Sequence, residues 1–152
     1  MRITILCIGR IRTGPAMALY EDYAKRVPWP LALKEFVERR PLPTAERVAR
    51  EATLLRGAVP SGAVTVALDE RGKALASAEF AKRLSRWIDQ ARSDIAFLIG
   101  GTDGLAPELK QGADLVLSLG SMTWPHALAR ALLAEQLYRA HTILTGHPYH
   151  RG

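Results

Sequence analysis

Leu115 to His126 reads LVLSLGSMTWPH, and this stretch decides the fold. Leu115–Leu119 is a short apolar run that suits a buried strand. A polar, glycine-containing turn follows, and Pro125 suits the first position of a helix, where its missing N–H costs nothing. An apolar segment of helical period then runs from Pro125 to Leu144. Strand, glycine turn and proline-started helix make one unit of a parallel α/β sheet, whose ligands collect at the carboxyl ends of the strands.

Working outward, the same alternation recurs along the whole chain. Branched apolar runs predict strands at Ile3–Ile8, Leu33–Val37, Val64–Leu68 and Ile95–Ile99. Helical periods predict helices over Pro15–Arg26, Thr44–Gly57 and Ser77–Ala91, with a short one near Pro107–Gly112. Ser77 with Glu79 in the first turn is a good helix start, and Thr44 with Arg47 a weaker one. Pro28, Pro30, Pro41 and Pro43 bracket the second strand and place it at a turn-rich margin of the sheet. No repeat, low-complexity tract or linker interrupts the pattern, so residues 1–152 are expected to form a single domain.

Composition excludes several classes. A hydrophobic fraction of 48% and a charged fraction of 24% match an ordinary globule, and no apolar run approaches a bilayer span. The opening MRITILCIGR lacks a cleavage site and reads as a first strand, so no membrane association is expected. Cys7, the single cysteine, lies inside that run; a lone buried thiol points to a reducing, cytoplasmic setting. The net charge of +6 favours polyanionic partners. Residues 1–60 carry +5 of it and residues 61–152 only +1, so the basic face belongs to the first half.

Three strand ends carry possible chemistry: Leu68–Gly72 (LDERG), Leu98–Gly104 (LIGGTDG) and Leu117–His126. The glycines of the second permit close backbone approach. Their spacing is not a dinucleotide fingerprint, and no Walker pattern occurs. What remains is a ligand held by backbone groups without a phosphate cradle, for which an adenosine-type cofactor fits. At the chain's end GHPYHRG concentrates His147, Tyr149, His150 and Arg151. The two histidines have no partners that would complete a tetrahedral or facial ligand set, so no metal is expected.

LIGGTDG, the SMTWPH segment of Ser121–His126, Glu135 with Leu137-Tyr138-Arg139-Ala140, and the terminal HPYHR closely resemble the small knotted methyltransferases of the SPOUT class. Within that class the resemblance is to the RlmH family, which methylates N3 of a pseudouridine in 23S ribosomal RNA. It covers essentially the whole chain. It implies an α/β parallel-sheet domain with a carboxyl-terminal trefoil knot, a homodimer, S-adenosylmethionine held in the knot, and 23S rRNA of the assembled 70S ribosome as target. The family's cofactor contacts fall on Leu68, Gly100, Leu119, Gly120, Ser121, Met122, Thr123 and Trp124, with His126 at the rim of the pocket. Tyr149 is expected to stack on a base and His150 to handle the N3 proton, with Arg139 or Arg151 offsetting negative charge. Thr102-Asp103 stands where relatives often have proline and glutamate, and the Pro41–Thr44 connection is short. A non-catalytic ribosome-binding module, or a knotted methyltransferase acting on tRNA or protein, remain the alternatives.

Overall fold

A computed structural model describes residues 1–151. Five parallel strands form one sheet in the order β2-β1-β4-β3-β5. Their ranges are β1 Arg2–Ile8, β2 Leu31–Phe36, β3 Val64–Ala74, β4 Asp94–Ile99 and β5 Leu115–Ser118. Helices α1 Pro15–Ala24, α2 Thr44–Ala58, α3 Ser77–Asp89 and α4 Pro107–Gln111 make the four crossovers, and α5 His126–Thr145 closes the chain ahead of a short 3-10 turn at Pro148–His150.

The period-two alternation of the strands sends side chains to both faces, as a doubly covered parallel sheet requires. Ile3, Ile5 and Cys7 of β1 and Ile95, Phe97 and Ile99 of β4 pack with Tyr20, Leu84, Trp87, Leu133 and Leu137, so α1, α3 and α5 cover that face. Leu6, Ile8, Ala96 and Leu98 point the other way, onto Ala52 and Leu55 of α2 and Leu109 of α4. Burial pushes the Cys7 thiol up to about 12, so it stays protonated as a core group. In α3 the buried Phe80, Ala81, Leu84 and Trp87 recur on one helical face. Its start is fixed by the Glu79 carboxylate, which accepts the Ala76 N–H at 3.2 Å.

Several element ends shift by one or two residues from the sequence reading, and three differences have a visible cause. The second strand begins two residues earlier than expected, at Leu31, because Pro30 supplies a carbonyl to the Ile3 N–H at 2.9 Å. Pro125 caps α5 in an extended conformation, so His126 is the first helical residue. The third strand does not stop at Leu68. Leu68 and Lys73 both register with Leu117, so Asp69–Gly72 arches out of the ladder before pairing resumes. Gly72 must be glycine there: a Cβ would lie 2.7 Å from the Val116 carbonyl oxygen.

Candidate active site

The strand order changes direction between β1 and β4, and the carboxyl ends of β3, β4 and β5 meet beside that point. They enclose a cleft of about 820 Å³, within the range that holds a small molecule or cofactor. Seven of the eight expected cofactor residues line it: Leu68, Gly100, Leu119, Gly120, Met122, Thr123 and Trp124, and His126 lines it too. Ser121 belongs to the same turn but does not face the cleft.

Each tip is held by its own chemistry. In the arch, Asp69 accepts the Arg71 N–H at 2.8 Å and pairs with Lys110 of α4 at 3.0 Å. Burial would raise the Asp69 carboxyl, but these partners outweigh it and hold it below its ordinary value. In the glycine turn, Gly104 takes a φ of 78° and its N–H bonds to the Gly101 carbonyl at 3.0 Å. The turn is so tight that a Cβ on Gly100 would sit 2.6 Å from the Gly104 carbonyl carbon. In the third tip, Gly120 adopts a φ of 126°, which only glycine takes readily. Ser118 Oγ accepts the Gly120 N–H at 3.1 Å and lies 3.0 Å from the Glu70 carbonyl, tying this turn to the arch. Thr123 Oγ1 donates to the Glu70 carboxylate, a second tie between them. Trp124 folds back so that its Nε1 donates to the Leu119 carbonyl at 3.3 Å.

His126 stands where α5 meets the tip of β1. Its Nδ1 is buried without a hydrogen-bond partner, and its ring lies 3.3 Å from where a Gly9 Cβ would be. Burial, and then the charge of Arg130, push the imidazole below its ordinary value. Arg130, one turn further on, is fully buried. Its Nη1 pairs with Glu35 at 2.5 Å and its Nη2 donates to the Gly9 carbonyl at 2.7 Å. Glu35 also accepts the Ile11 N–H at 2.7 Å.

The expected tail residues gather elsewhere. A second cleft of about 360 Å³ shares Leu117, Leu119, Gly120 and Trp124 with the first and extends to Glu135 and Gln136 of α5. At Glu135 the tail is anchored: the Tyr149 hydroxyl donates to its carboxylate at 3.0 Å, and Arg139 pairs with it at 2.7 Å. The Tyr149 ring packs 4.7 Å from Tyr138 and lies beneath the Arg139 guanidinium at 5.2 Å, so its own chain occupies the expected base-stacking ring. Burial and these hydroxyl contacts raise the Tyr149 pKa. His150 and Arg151 line neither cleft; His150 Nδ1 is buried without a partner and Arg151 is exposed.

Comparison with known proteins places this geometry. The family described as predicted SPOUT methyltransferase matches residues 1–150. The chain belongs to the SPOUT methyltransferase family. It is 56% identical over 151 residues to the ribosomal RNA large subunit methyltransferase H of Rhodospirillum centenum, covering 99% of each chain. Among solved structures, a probable methyltransferase from Bordetella pertussis shares the fold with a TM-score of 0.59 at 18% identity, covering 91% of this chain and 95% of that one. A putative methyltransferase from Legionella pneumophila, in complex with the cofactor SAM, matches with a TM-score of 0.50 at 15% identity, covering 92% of this chain and 66% of that one.

A SPOUT cofactor fits the residues present. Gly100 sits in a turn where a Cβ would meet the Gly104 backbone, and Gly120 takes a φ that favours glycine, so both turns present backbone groups to a ligand. Sequence reading missed Glu35, Arg130 and the Asp69–Lys110 pair. Arg130 did leave a trace, as a lone cation in the otherwise apolar helical run ALARALL. Among the described residues no cluster of three or more His, Cys, Asp or Glu could hold a metal, and no helix is long and apolar enough to cross a membrane.

Proposed function

We propose that this SPOUT methyltransferase transfers a methyl group from S-adenosylmethionine to N3 of a pseudouridine in 23S rRNA, acting as a cytoplasmic homodimer on the assembled 70S ribosome. The observation that carries the reading is the meeting of three glycine-bearing strand tips in one cleft, in a chain 56% identical from end to end to a named large-subunit rRNA methyltransferase. The whole chain, residues 1–152, acts as one domain. Leu119–Pro125 leaves β5 at one edge of the sheet and delivers His126 to the tip of β1, and this return path supports a carboxyl-terminal trefoil knot.

When bound, the cofactor supplies an activated methyl group on a sulfonium. Leu68, Gly100 and the turn from Leu119 to Trp124 hold it, and His126 borders it. Methyl transfer is an in-line displacement that gains most from positioning, so rigid turns are the main contribution of this chain. The target N3 must shed a proton, and His150 receives it. Arg151 is exposed with no ion-pair partner among the described residues, whereas Arg139 is committed to Glu135, so Arg151 is the better placed to offset charge on the base. Because His150 and Arg151 line neither cleft of their own protomer, the second subunit's tail completes each site. Leu128 and Leu132, one turn apart on α5 and only half-buried, support that pairing.

The test is transfer of labelled methyl from S-adenosylmethionine to 70S ribosomes, free 23S rRNA and tRNA. Label on N3 of a 23S pseudouridine, greatest with 70S ribosomes, is the expected result. Label in tRNA or protein moves the target, and binding without transfer leaves only a ribosome-binding module.

A further inference from the structure

We propose that the loop after β1, Gly9–Gly14, is a preformed RNA-phosphate dock beside the cofactor cleft, with Arg10 and Arg12 as its contacts. The proposal rests on the reading of an RNA substrate above and adds where the nucleic acid is gripped. The loop reads GRIRTG, with two arginines and no acid. Both arginines are exposed, and neither has an ion-pair partner among the described residues. The carboxylate closest in influence, Glu35, is committed to Arg130 and the Ile11 N–H, although the Arg10 charge also acts on it.

A surface loop with two arginines is ordinarily mobile, and ordering it on a ligand costs free energy. Here the order is already present. The Gly9 N–H donates to the Phe36 carbonyl at 2.7 Å, the Gly9 carbonyl accepts from buried Arg130, and the Ile11 N–H is held by Glu35. The three bonds hold Gly9 and Ile11, and Arg10 and Arg12 on either side of Ile11 are exposed. Gly9 faces the His126 ring, which would lie 3.3 Å from a Cβ at that position, and His126 lines the cleft. The loop therefore lies next to the cofactor site, on the far side of the His126 ring. The neighbouring loop after β2 adds exposed Arg39 beyond the Glu38–Arg40 pair, which extends positive charge along the same end of the sheet.

A phosphodiester strand crossing this end would meet paired guanidiniums next to the methyl-donor cleft, the arrangement that fixes register without reading bases. The ligand class is RNA backbone phosphate, contacted through charge rather than through sequence.

The experiment compares wild type with the double variant R10Q/R12Q and with a charge-matched control on α3, K82Q/R86Q, whose residues are exposed. Binding to ribosomes is measured across a salt series, and methyl transfer and S-adenosylmethionine affinity are measured alongside. For R10Q/R12Q the slope of log affinity against log salt should shrink by about 1.5, and the KM for ribosomes should rise about tenfold with kcat little changed. Donor affinity should stay within about twofold of wild type, and the control should keep the wild-type slope. An unchanged slope in R10Q/R12Q, an equal change in the control, or loss of donor binding each overturns the dock. The salt slope is read from binding alone, so wild type that binds ribosomes without methylating them would sink the proposed reaction and leave this test standing.

Discussion

The buried pair between Arg130 and Glu35 should behave asymmetrically when it is broken. Arg130 is 0% exposed while the Glu35 side chain keeps 23% access to water. Arg130→Met leaves a carboxylate that can hydrate and still accepts the Ile11 N–H, so its cost should fall below the usual range for a severed buried pair, at about 2 kcal/mol. Glu35→Met strands a guanidinium with no route to solvent, and its remaining bond to the Gly9 carbonyl does not neutralise it. That variant should lose about 4 kcal/mol. The double variant carries no uncompensated charge. It forfeits the partners of the Gly9 carbonyl and the Ile11 N–H, and should cost about 2 kcal/mol, no more than the milder single change. The coupling between the two sites is then well over 2 kcal/mol, far outside the error expected for independent positions. Urea unfolding of the four proteins measures this, since 2 kcal/mol moves the midpoint by about 1 M at an ordinary slope. Additive costs, or a Glu35 variant milder than the Arg130 variant, would refute the reasoning.

Gly100→Ala places a methyl group against the Gly104 backbone, which cannot swing aside as a side chain would, and calorimetry should show S-adenosylmethionine affinity reduced about tenfold or more. His126 titrates below its ordinary value because burial and Arg130 disfavour its charged form. As pH falls through about 6.5 the unfolded chain therefore takes up a proton that the folded chain refuses, and stability drops until the lower folded-state value is passed. Proton-NMR titration of the His126 ring checks this, and a midpoint at or above 6.5 contradicts it. Tyr149→Phe removes the donor to Glu135 and should destabilise the tail by about 1 kcal/mol, read as faster amide exchange over residues 147–151 with α3 unchanged.

The legible part of this fold was the part written in hydrophobic period. Each strand and helix announced itself because side-chain alternation and burial follow the same rule, and the three tips of the cleft were visible as glycine-bearing ends of apolar runs. What escaped was long-range. The arch at Asp69–Gly72 looks like a plain loop in sequence, and only pairing with β5 across some forty intervening residues makes its far side strand again. Glu35 and Arg130 are 95 positions apart, and nothing local marks a glutamate in LALKEF as the partner of a helical arginine. The tail's residue types suggested substrate chemistry, but Tyr149 is occupied by Tyr138, Arg139 and Glu135, contacts that depend on how the chain turns after Gly146.

Trp124 stands in the partition between the two clefts and is 41% exposed, whereas Trp87 is 5% exposed and Trp29 packs edge-on to His141. The molecule thus carries an optical gauge in its own wall: the reddest indole emission arises from the partition, and filling either chamber dries it. Donor loading can then be timed by stopped-flow fluorescence, with no dye attached.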